Sequence, residues 1–329
     1  MQVKFSSGSS KGSSRSLMRP LQRERGNGED ELAGRRRIDA VIAELEKMIG
    51  LENVKSLIKE LRAFVEIQRR RQREGLVNSA STLHMIFKGN PGTGKSTVAR
   101  LMGRLFKELG ILSQGHLVEV ERADLVGEYI GHTAHKAREQ LKKALGGILF
   151  IDEAYSLARG GEKDFGREAI DVLVKGMEDY RDNLILILAG YKDEMDYFLE
   201  TNPGLRSRFP IQLEFPDYTV AELLAIARLM LEEKQYYLAP PAAAELEKIL
   251  RREVLCGHRY NGNARLVRNI IERAIRRQAL RLVNKKNLSR QDLMSIEKED
   301  LVRPTLPAAA REIDADLSAG PPICYNNSR

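Results

Sequence analysis

The segment Gly89–Ser96, with the sequence GNPGTGKS, fits the phosphate-loop pattern G-x-x-x-x-G-K-[ST] at every fixed position. Its glycines would let backbone N–H groups curl around phosphate oxygens, because no Cβ stands in the way. The Lys95 amino group would reach the β- and γ-phosphates, and the Ser96 hydroxyl would ligate Mg²⁺. We therefore predict that ATP and Mg²⁺ bind to a group of loop residues. These residues are Pro91, Gly92, Thr93, Gly94, Lys95, Ser96 and Thr97.

The residues on either side of this loop form the context that a phosphate loop needs. The run 83–87 is short and apolar, which is typical of a buried strand. After the loop, apolar residues recur at the spacing of one helix face: Val98, Leu101, Met102, Leu105, Phe106 and Leu109. A strand, the loop and a helix therefore follow one another, and the N-terminus of such a helix favours anions.

A second chemical element is the apolar run 147–151, which ends in Asp152 and Glu153. Asp152 can hold Mg²⁺ through water, and Glu153 can polarise a water molecule for attack on the γ-phosphate. The pair is weak evidence alone, but together with an upstream phosphate loop it predicts ATP hydrolysis. A GTPase is disfavoured, because the D-x-x-G sequence at Asp124–Gly127 is followed by no N-K-x-D guanine-binding motif.

Alternating strand and helix patterns predict an α/β core with a parallel sheet and helices on both of its faces. The five strand candidates are 83–88, 115–121, 148–151, 184–188 and 211–215. After Pro216 the strand patterns stop, and helical patterns cover 219–235, 242–252, 265–284 and 289–294. We therefore divide the chain into five parts: a disordered basic tail (1–37), N-terminal helices (38–82), an α/β nucleotide-binding domain (83–216), a small all-helical lid (217–301) and a disordered tail (302–329).

Composition bounds the possible classes of protein. The 329-residue chain has 42% hydrophobic and 30% charged residues, and no apolar run approaches the length of a membrane span. Two cysteines and no signal-peptide pattern favour a reducing, cytoplasmic setting. The net charge of +8 owes much to residues 1–37, where nine Lys/Arg meet four Asp/Glu. A solvated tail is favoured over a binding arm, so a nucleic-acid partner is not expected.

The chain resembles the AAA+ ATPases, in the branch that includes a sporulation protein and the red-type Rubisco activase. The likeness covers residues 38–301, and the stretch 157–166 is most similar to the sporulation protein. The motifs that carry it are KGNPGTGKSTVAR (88–100), DLVGEYIGHT (124–133), the acidic strand with the residues after it (147–157), LAGY (188–191) and NPGLRSRFP (202–210). The resemblance implies an ATP-hydrolysing P-loop core with a helical lid.

The resemblance also implies roles for residues outside the two motifs. Gly50 and Leu51 would lie in the segment that lines the adenine pocket. Arg208 matches the arginine finger that completes a neighbouring subunit's site, with Arg206 as the alternative. Arg265 matches the lid arginine called sensor 2, with Arg268 as the alternative. The polar sensor expected after the fourth core strand has no clear match in Ala189-Gly190-Tyr191, and it stays unassigned.

Tyr129, Ile130 and Gly131 resemble the central pore loop of AAA+ rings that thread polypeptides, and Gly160–Lys163 is a candidate second pore loop. The resemblance therefore implies a homo-oligomer, most often a hexamer, acting on a protein partner whose identity the sequence does not give. A role in endospore formation is favoured. The alternatives are a remodeller like Rubisco activase, and a nucleotide-switched assembly or DNA-binding module.

Overall fold

The computed structural model describes residues 27–76, 82–129, 131–159, 165–255 and 262–302. Two helices come first, α1 (Asn27–Glu46) and α2 (Glu52–Arg73). The predicted disordered tail is wrong for residues 27–37, because α1 begins at Asn27. The polar residues 27–37 show no periodic apolar pattern in the sequence. The later part of α1 packs in the core through Val41 and Leu45, and Arg37 also pairs with Glu108 at 2.7 Å on the surface. Residues 1–26 and 303–329 lie outside the described ranges.

The centre of the fold is a five-stranded parallel sheet, as predicted. Its strands are β1 (Met85–Gly89), β2 (Leu117–Val120), β3 (Ile148–Ile151), β4 (Ile185–Gly190) and β5 (Ile211–Phe215). Their order across the sheet is β2-β3-β4-β1-β5. Strands β1, β3 and β4 are buried along their whole length, which explains why they appear as continuous apolar runs in the sequence.

Helices cover both faces of the sheet. They are α3 (Lys95–Glu108), α4 (Arg122–Leu125), α5 (His132–Lys143), α6 (Gly166–Asp179), α7 (Lys192–Thr201) and α8 (Pro203–Arg208), with a 3₁₀ turn at Ala154–Ala158. Alternate strand residues enter two separate apolar layers. Phe87 and Phe150 pack with α2, α3 and the lid, whereas Ile86 and Leu149 pack with α5 and α6. Because all strands are parallel, their carboxyl ends meet at one edge of the sheet, where the predicted site residues follow them.

A smaller lid follows the core. Its elements are α9 (Val220–Glu233), β6 (Tyr237–Leu238), α10 (Pro240–Leu255), α11 (Asn263–Leu282), α12 (Arg290–Met294), β7 (Ser295–Ile296) and α13 (Lys298–Leu301). The prediction that strands stop after Pro216 is wrong in one detail, because β6 and β7 pair in parallel. Two residues per strand are too few to show a period of two in the sequence. Within the described ranges, no helix is long and apolar enough to cross a membrane.

Candidate nucleotide-binding site

The loop between β1 and α3 has a backbone shape that requires glycine. Gly92 and Gly94 have φ values of +73° and +98°, in the left-handed region that side chains disfavour. A Cβ added to Gly92 would lie 2.3 Å from the carbonyl oxygen of Gly262 and 2.9 Å from the Arg265 nitrogen. The loop therefore meets the start of lid helix α11 backbone to backbone, and only glycine fits between them.

Lys95 is the first residue of α3, and its amino group turns back toward the loop. Its Nζ donates hydrogen bonds to the carbonyl oxygens of Gly89 and Asn90, at 2.8 and 2.9 Å. Burial lowers the pKa of Lys95, the carboxylate of Asp152 partly offsets this, and the Arg265 guanidinium lowers it further. The ammonium group therefore lies in a partly desolvated place between an acid and a second cation, where it interacts strongly with an added anion.

The two acids follow β3 at the same edge of the sheet. Glu153 has a φ of +46°, an uncommon left-handed backbone for a non-glycine residue, and its N–H donates to Oδ1 of Asp152 at 3.0 Å. Asp152 is half-buried, whereas the Glu153 side chain is exposed. The uncommon backbone at Glu153 thus accompanies two consecutive carboxylates in different surroundings, although both line one cavity.

A cavity of about 360 Å³ is lined by most of the predicted catalytic and phosphate-binding residues. The predicted residues that line it are Pro91, Gly92, Gly94, Lys95, Ser96, Thr97, Asp152, Glu153 and Arg265. Arg268, the alternative for sensor 2, also lines it, as does Tyr191 from the segment in which the polar sensor stayed unassigned. Thr93 is fully buried instead, and its hydroxyl donates to the carbonyl of Asn90 at 2.8 Å, so it shapes the loop from behind.

An apolar pocket of about 480 Å³ adjoins the loop on the lid side. Its apolar lining comes from Met48, Ile49, Tyr218, Ile226, Met230 and Ile271. Gly50 and Leu51, the residues predicted to lie in the adenine segment, are not lining residues of this pocket, whereas their neighbours Met48 and Ile49 are. Gly50 and Leu51 have φ values of +65° and +60° and make the turn between α1 and α2. Leu51 is buried, with its Cδ1 3.7 Å from where a Cβ on Gly94 would be.

Asn263, at the start of α11, joins the lid to the loop. Its position two residues before Arg265 did not indicate this role. Its Oδ1 accepts from the Tyr218 N–H at 3.0 Å, and its Nδ2 donates to Asp217 at 2.8 Å and to the Pro91 carbonyl at 3.3 Å. Its φ of +44° is one that asparagine tolerates better than most residues.

Two further bonds tie the same elements together. The Tyr218 hydroxyl donates to the Thr93 carbonyl at 3.1 Å, and the Ala264 N–H donates to the Gly92 carbonyl at 3.1 Å. Burial raises the pKa of Tyr218 to about 12, so this hydroxyl stays a donor at neutral pH. We call Asp217, Tyr218, Asn263 and Ala264 the lid lock.

Arg208 lies away from this cavity and is not one of its lining residues. It ends α8, and its side chain is 38% exposed. Its Nη2 and Nε donate to Oε1 of Glu178, at 2.8 and 3.3 Å, and its Nη1 donates to the Gly204 carbonyl at 3.0 Å. The structure therefore does not bring Arg208 to the phosphate loop of its own chain. Arg206 is exposed on the same short helix.

The loop between α4 and α5 presents Tyr129 to solvent. Its ring is 66% exposed and lies edge-on to His132, with the ring centroids 5.4 Å apart. The loop base is fixed, because the buried Thr133 hydroxyl accepts from the Gly127 N–H at 3.0 Å. Gly131 has a φ of +81°, with open space around it. Ile130 and the candidate second pore loop at 160–163 lie outside the described residues.

Comparison with protein families agrees with this geometry. Residues 85–217 match the ATPase family associated with various cellular activities (AAA), and residues 219–312 match the AAA lid domain. Stage V sporulation protein K of Bacillus subtilis (strain 168) is 54% identical over 267 residues, covering 79% of this chain and 83% of that protein. The chain belongs to the AAA ATPase family. The resemblance predicted from the sequence motifs is confirmed, and membership implies nucleotide binding.

Other relatives of this AAA ATPase include a Rubisco activase. The chloroplastic ribulose bisphosphate carboxylase/oxygenase activase of Cyanidioschyzon merolae (strain NIES-3377 / 10D) is 47% identical over 273 residues, covering 82% of this chain and 92% of that protein. Protein CfxQ of Xanthobacter flavus is 48% identical over 264 residues, covering 80% and 83% respectively. Both branches named in the sequence analysis are therefore represented among the similar proteins.

Proposed function

We propose that this AAA ATPase hydrolyses ATP within a ring of identical subunits and uses the energy to remodel a protein partner. The observation that carries the proposal is the single cavity that holds Lys95, Asp152, Glu153 and Arg265 beside a glycine loop. The fit to a nucleotide is good. The loop offers backbone N–H groups and a cation to the phosphates, and the apolar pocket next to it suits a planar base.

Each polar group has a role in this proposal. The loop amides and Lys95 hold the β- and γ-phosphates, and Arg265 holds the γ-phosphate from the lid side. Ser96 and Asp152 offer the hard oxygen ligands that suit Mg²⁺, and both line the cavity. Bound Mg²⁺ would neutralise charge on the phosphate oxygens. The lid lock keeps Arg265 within reach of the loop, since Ala264 donates directly to Gly92.

Glu153 is our candidate for the general base that takes a proton from the attacking water. Replacing it with glutamine keeps size and polarity but removes the base, so ATP binding should persist while hydrolysis falls by about 10²–10⁴-fold. The matched control is Glu121→Gln. Glu121 also lines the cavity, but it lies at the start of α4, where its N–H donates to Oδ2 of Asp124 at 2.9 Å. A control as slow as Glu153→Gln, or wild-type turnover in Glu153→Gln, would refute this assignment.

Arg208 is proposed to act on the γ-phosphate of the neighbouring subunit. Support comes from its partial exposure and its distance from the cavity of its own chain. A head-to-tail interface of this kind can close into a ring, and the family resemblance suggests six subunits. The test mixes Arg208→Ala subunits with Glu153→Gln subunits. An intact guanidinium then meets an intact acid at some interfaces, so hydrolysis should partly return.

Two controls decide what that mixture means. Light scattering with ATP and Mg²⁺ must show that mixed rings form. A monomer under those conditions would refute the proposal of a ring. If rings form and no activity returns, Arg208 does not act in trans. Arg206 is an exposed arginine on the same helix, so the Arg206→Ala variant should lose little activity if Arg208 is the finger.

Tyr129 is proposed to grip an extended polypeptide in the ring centre. The exposed ring on a loop with a fixed base supports this role, since contact by an aromatic face is tolerant of sequence. Tyr129→Ala should keep basal ATP hydrolysis and lose partner remodelling. Tyr197→Ala is the matched control, because Tyr197 is equally exposed (69%) but lies on α7. Full remodelling by Tyr129→Ala would favour the nucleotide-switched module instead.

The partner is proposed to belong to endospore formation, since the 54% identity to a sporulation protein exceeds the 47% to a Rubisco activase. Rubisco activation is the second candidate, supported by coverage of 92% of that activase. Rings trapped by Glu153→Gln should retain the partner in a pull-down, and its identity separates the two. A DNA-binding role would instead give salt-dependent DNA affinity that falls when residues 1–37 are deleted.

A further inference from the structure

His84 lies just before β1, at the end of that strand opposite the phosphate loop. The residue is 3% exposed, and its Nδ1 accepts a hydrogen bond from the Leu186 N–H on β4 at 3.0 Å. Because Nδ1 is the acceptor, the proton of the neutral ring is on Nε2. Burial lowers the pKa of His84 to about 4, and a hydrogen bond with the Met177 backbone partly offsets that effect. The imidazole is therefore neutral, with one tautomer, at physiological pH.

The same ring contacts Phe209 and the Met177 backbone, which adjoin Arg208 and its partner Glu178 respectively. Its centroid is 5.9 Å from that of Phe209, the residue that follows Arg208, and the planes are tilted by 50°. Phe209 is 1% exposed, so it anchors the end of α8 in the core. Met177 immediately precedes Glu178, whose Oε1 accepts from two nitrogens of Arg208. His84, Met177, Glu178 and Arg208 all line one cleft of about 740 Å³.

We propose that His84 is a positioning residue for Arg208. It fixes the ring of Phe209 and the end of α6 that carries Glu178, and through them it sets where the guanidinium faces the neighbouring subunit. The inference rests on the proposed action of Arg208 in trans. His84 does not line the nucleotide cavity, so its effect should be absent from the site of its own chain.

The need for such a support follows from the size of α8. A helix of six residues, Pro203–Arg208, has little stability of its own, so tertiary contacts must hold it. A guanidinium that stabilises a transition state must be placed to within about 0.5 Å. Glu178 orients the Arg208 side chain, and Phe209 orients its backbone. His84 is the side chain that touches the ring of Phe209 and reaches the backbone beside Glu178.

Two substitutions separate the interactions of the imidazole. In His84→Asn, the amide oxygen takes the place of Nδ1 and can accept from Leu186, but the ring contact with Phe209 and the Nε2 proton are lost. In His84→Gln, the amide nitrogen reaches the place of Nε2 and can still donate to the Met177 backbone. We expect His84→Asn to lower kcat about 10- to 100-fold, as misplacement by about 1 Å does, with the Kd for ATP within about twofold of wild type. His84→Gln should recover part of kcat.

The decisive measurement determines whether the substitution lowers ATP hydrolysis at the site of its own subunit or at the site of the neighbouring subunit. Subunits with His84→Asn keep an intact acid, so mixing them with Glu153→Gln subunits supplies correctly held fingers from the partner. ATP hydrolysis should rise at least about threefold over the sum of the two pure rings, as in the mixture with Arg208→Ala. A change that merely damaged the fold would lower the activity of its own site and would not be rescued.

The outcomes are distinct for each hypothesis. If Arg208→Ala is rescued and His84→Asn is not, the positioning role of His84 is overturned. If mixed rings form but Arg208→Ala is not rescued, the proposed action of Arg208 in trans is refuted, and the failure belongs to that proposal rather than to the role of His84. Wild-type kcat in His84→Asn also overturns the inference. If His84→Asn does not assemble into rings, the mixture is made with His84→Gln instead. A His84→Gln variant that shows neither a lowered kcat nor a rescue overturns the positioning role of His84.

Discussion

Replacing Gly92 with alanine tests whether the phosphate loop and the lid form one site. An added Cβ would lie 2.3 Å from the Gly262 carbonyl oxygen, whereas non-bonded atoms pack at about 3.5 Å, so a backbone must move by about 1 Å. That movement breaks the hydrogen bond from the Ala264 N–H to the Gly92 carbonyl, now 3.1 Å long. It also displaces Arg265, whose nitrogen would be 2.9 Å from the new methyl group.

The matched control is Gly75→Ala. Gly75 has nearly the same φ, +71°, but nothing lies within 4 Å of its added Cβ. Both substitutions carry the left-handed backbone strain of about 1–2 kcal/mol, and only Gly92→Ala has the collision. In a titration of a fluorescent ATP analogue with Mg²⁺, we expect a wild-type Kd for Gly75→Ala. Gly92→Ala should bind at least about tenfold more weakly, a loss of about 1.4 kcal/mol. Equal Kd values for Gly92→Ala and wild type would refute the reasoning.

Three further predictions follow from buried polar groups. Asn263→Ala removes the acceptor for the Tyr218 N–H and should cost about 1–3 kcal/mol in chemical denaturation, with weaker ATP binding. Thr133→Val leaves the Gly127 N–H without its acceptor. Hydrogen exchange of the Gly127 amide should therefore become faster, while the affinity for ATP should not change. Burial lowers the pKa of His84 from 6.5 to about 4. Between pH 4 and pH 6.5, the imidazole of His84 is therefore protonated in the unfolded chain but not in the folded one. Stability should therefore fall by about 2 kcal/mol from pH 7 to pH 5 through this group, and His84→Asn should lack that loss.

The sequence predicted the sheet and the phosphate loop because both depend on local patterns. Strands β3 and β4 are buried on both faces, so each is a continuous apolar run of the right length. The loop needs glycine at fixed positions, and the left-handed φ values of Gly92 and Gly94 show why. The position of Asp152 and Glu153 beside the loop could be predicted for a similar reason, since they directly follow a strand of the same parallel sheet.

The groups that the sequence could not indicate act across long separations. Asn263 bonds to Tyr218, 45 positions earlier, and to Pro91, 172 positions earlier. Nothing in the spacing of an asparagine near an arginine identifies such partners. His84 looked like one polar residue in an apolar strand, because its partner Leu186 is 102 positions away. The positions proposed for adenine, for the finger and for the pore loop stay predictions, since each depends on a ligand or a neighbour.

The proposals for Lys95 and His84 meet on a single strand. The phosphate loop begins at the carboxyl end of β1, and His84 precedes its amino end, about 17 Å away at the usual rise of a strand. Every residue of β1 is buried, and β4 and β5 pair with it on both sides, so the strand is held firmly between its neighbours. If Arg208 acts in trans as proposed, a shift of the loop on nucleotide exchange would reach His84 along this strand and, through His84, the arginine that faces the next subunit. On that proposal, β1 gives each subunit a short physical path from its own nucleotide to the reaction of its neighbour.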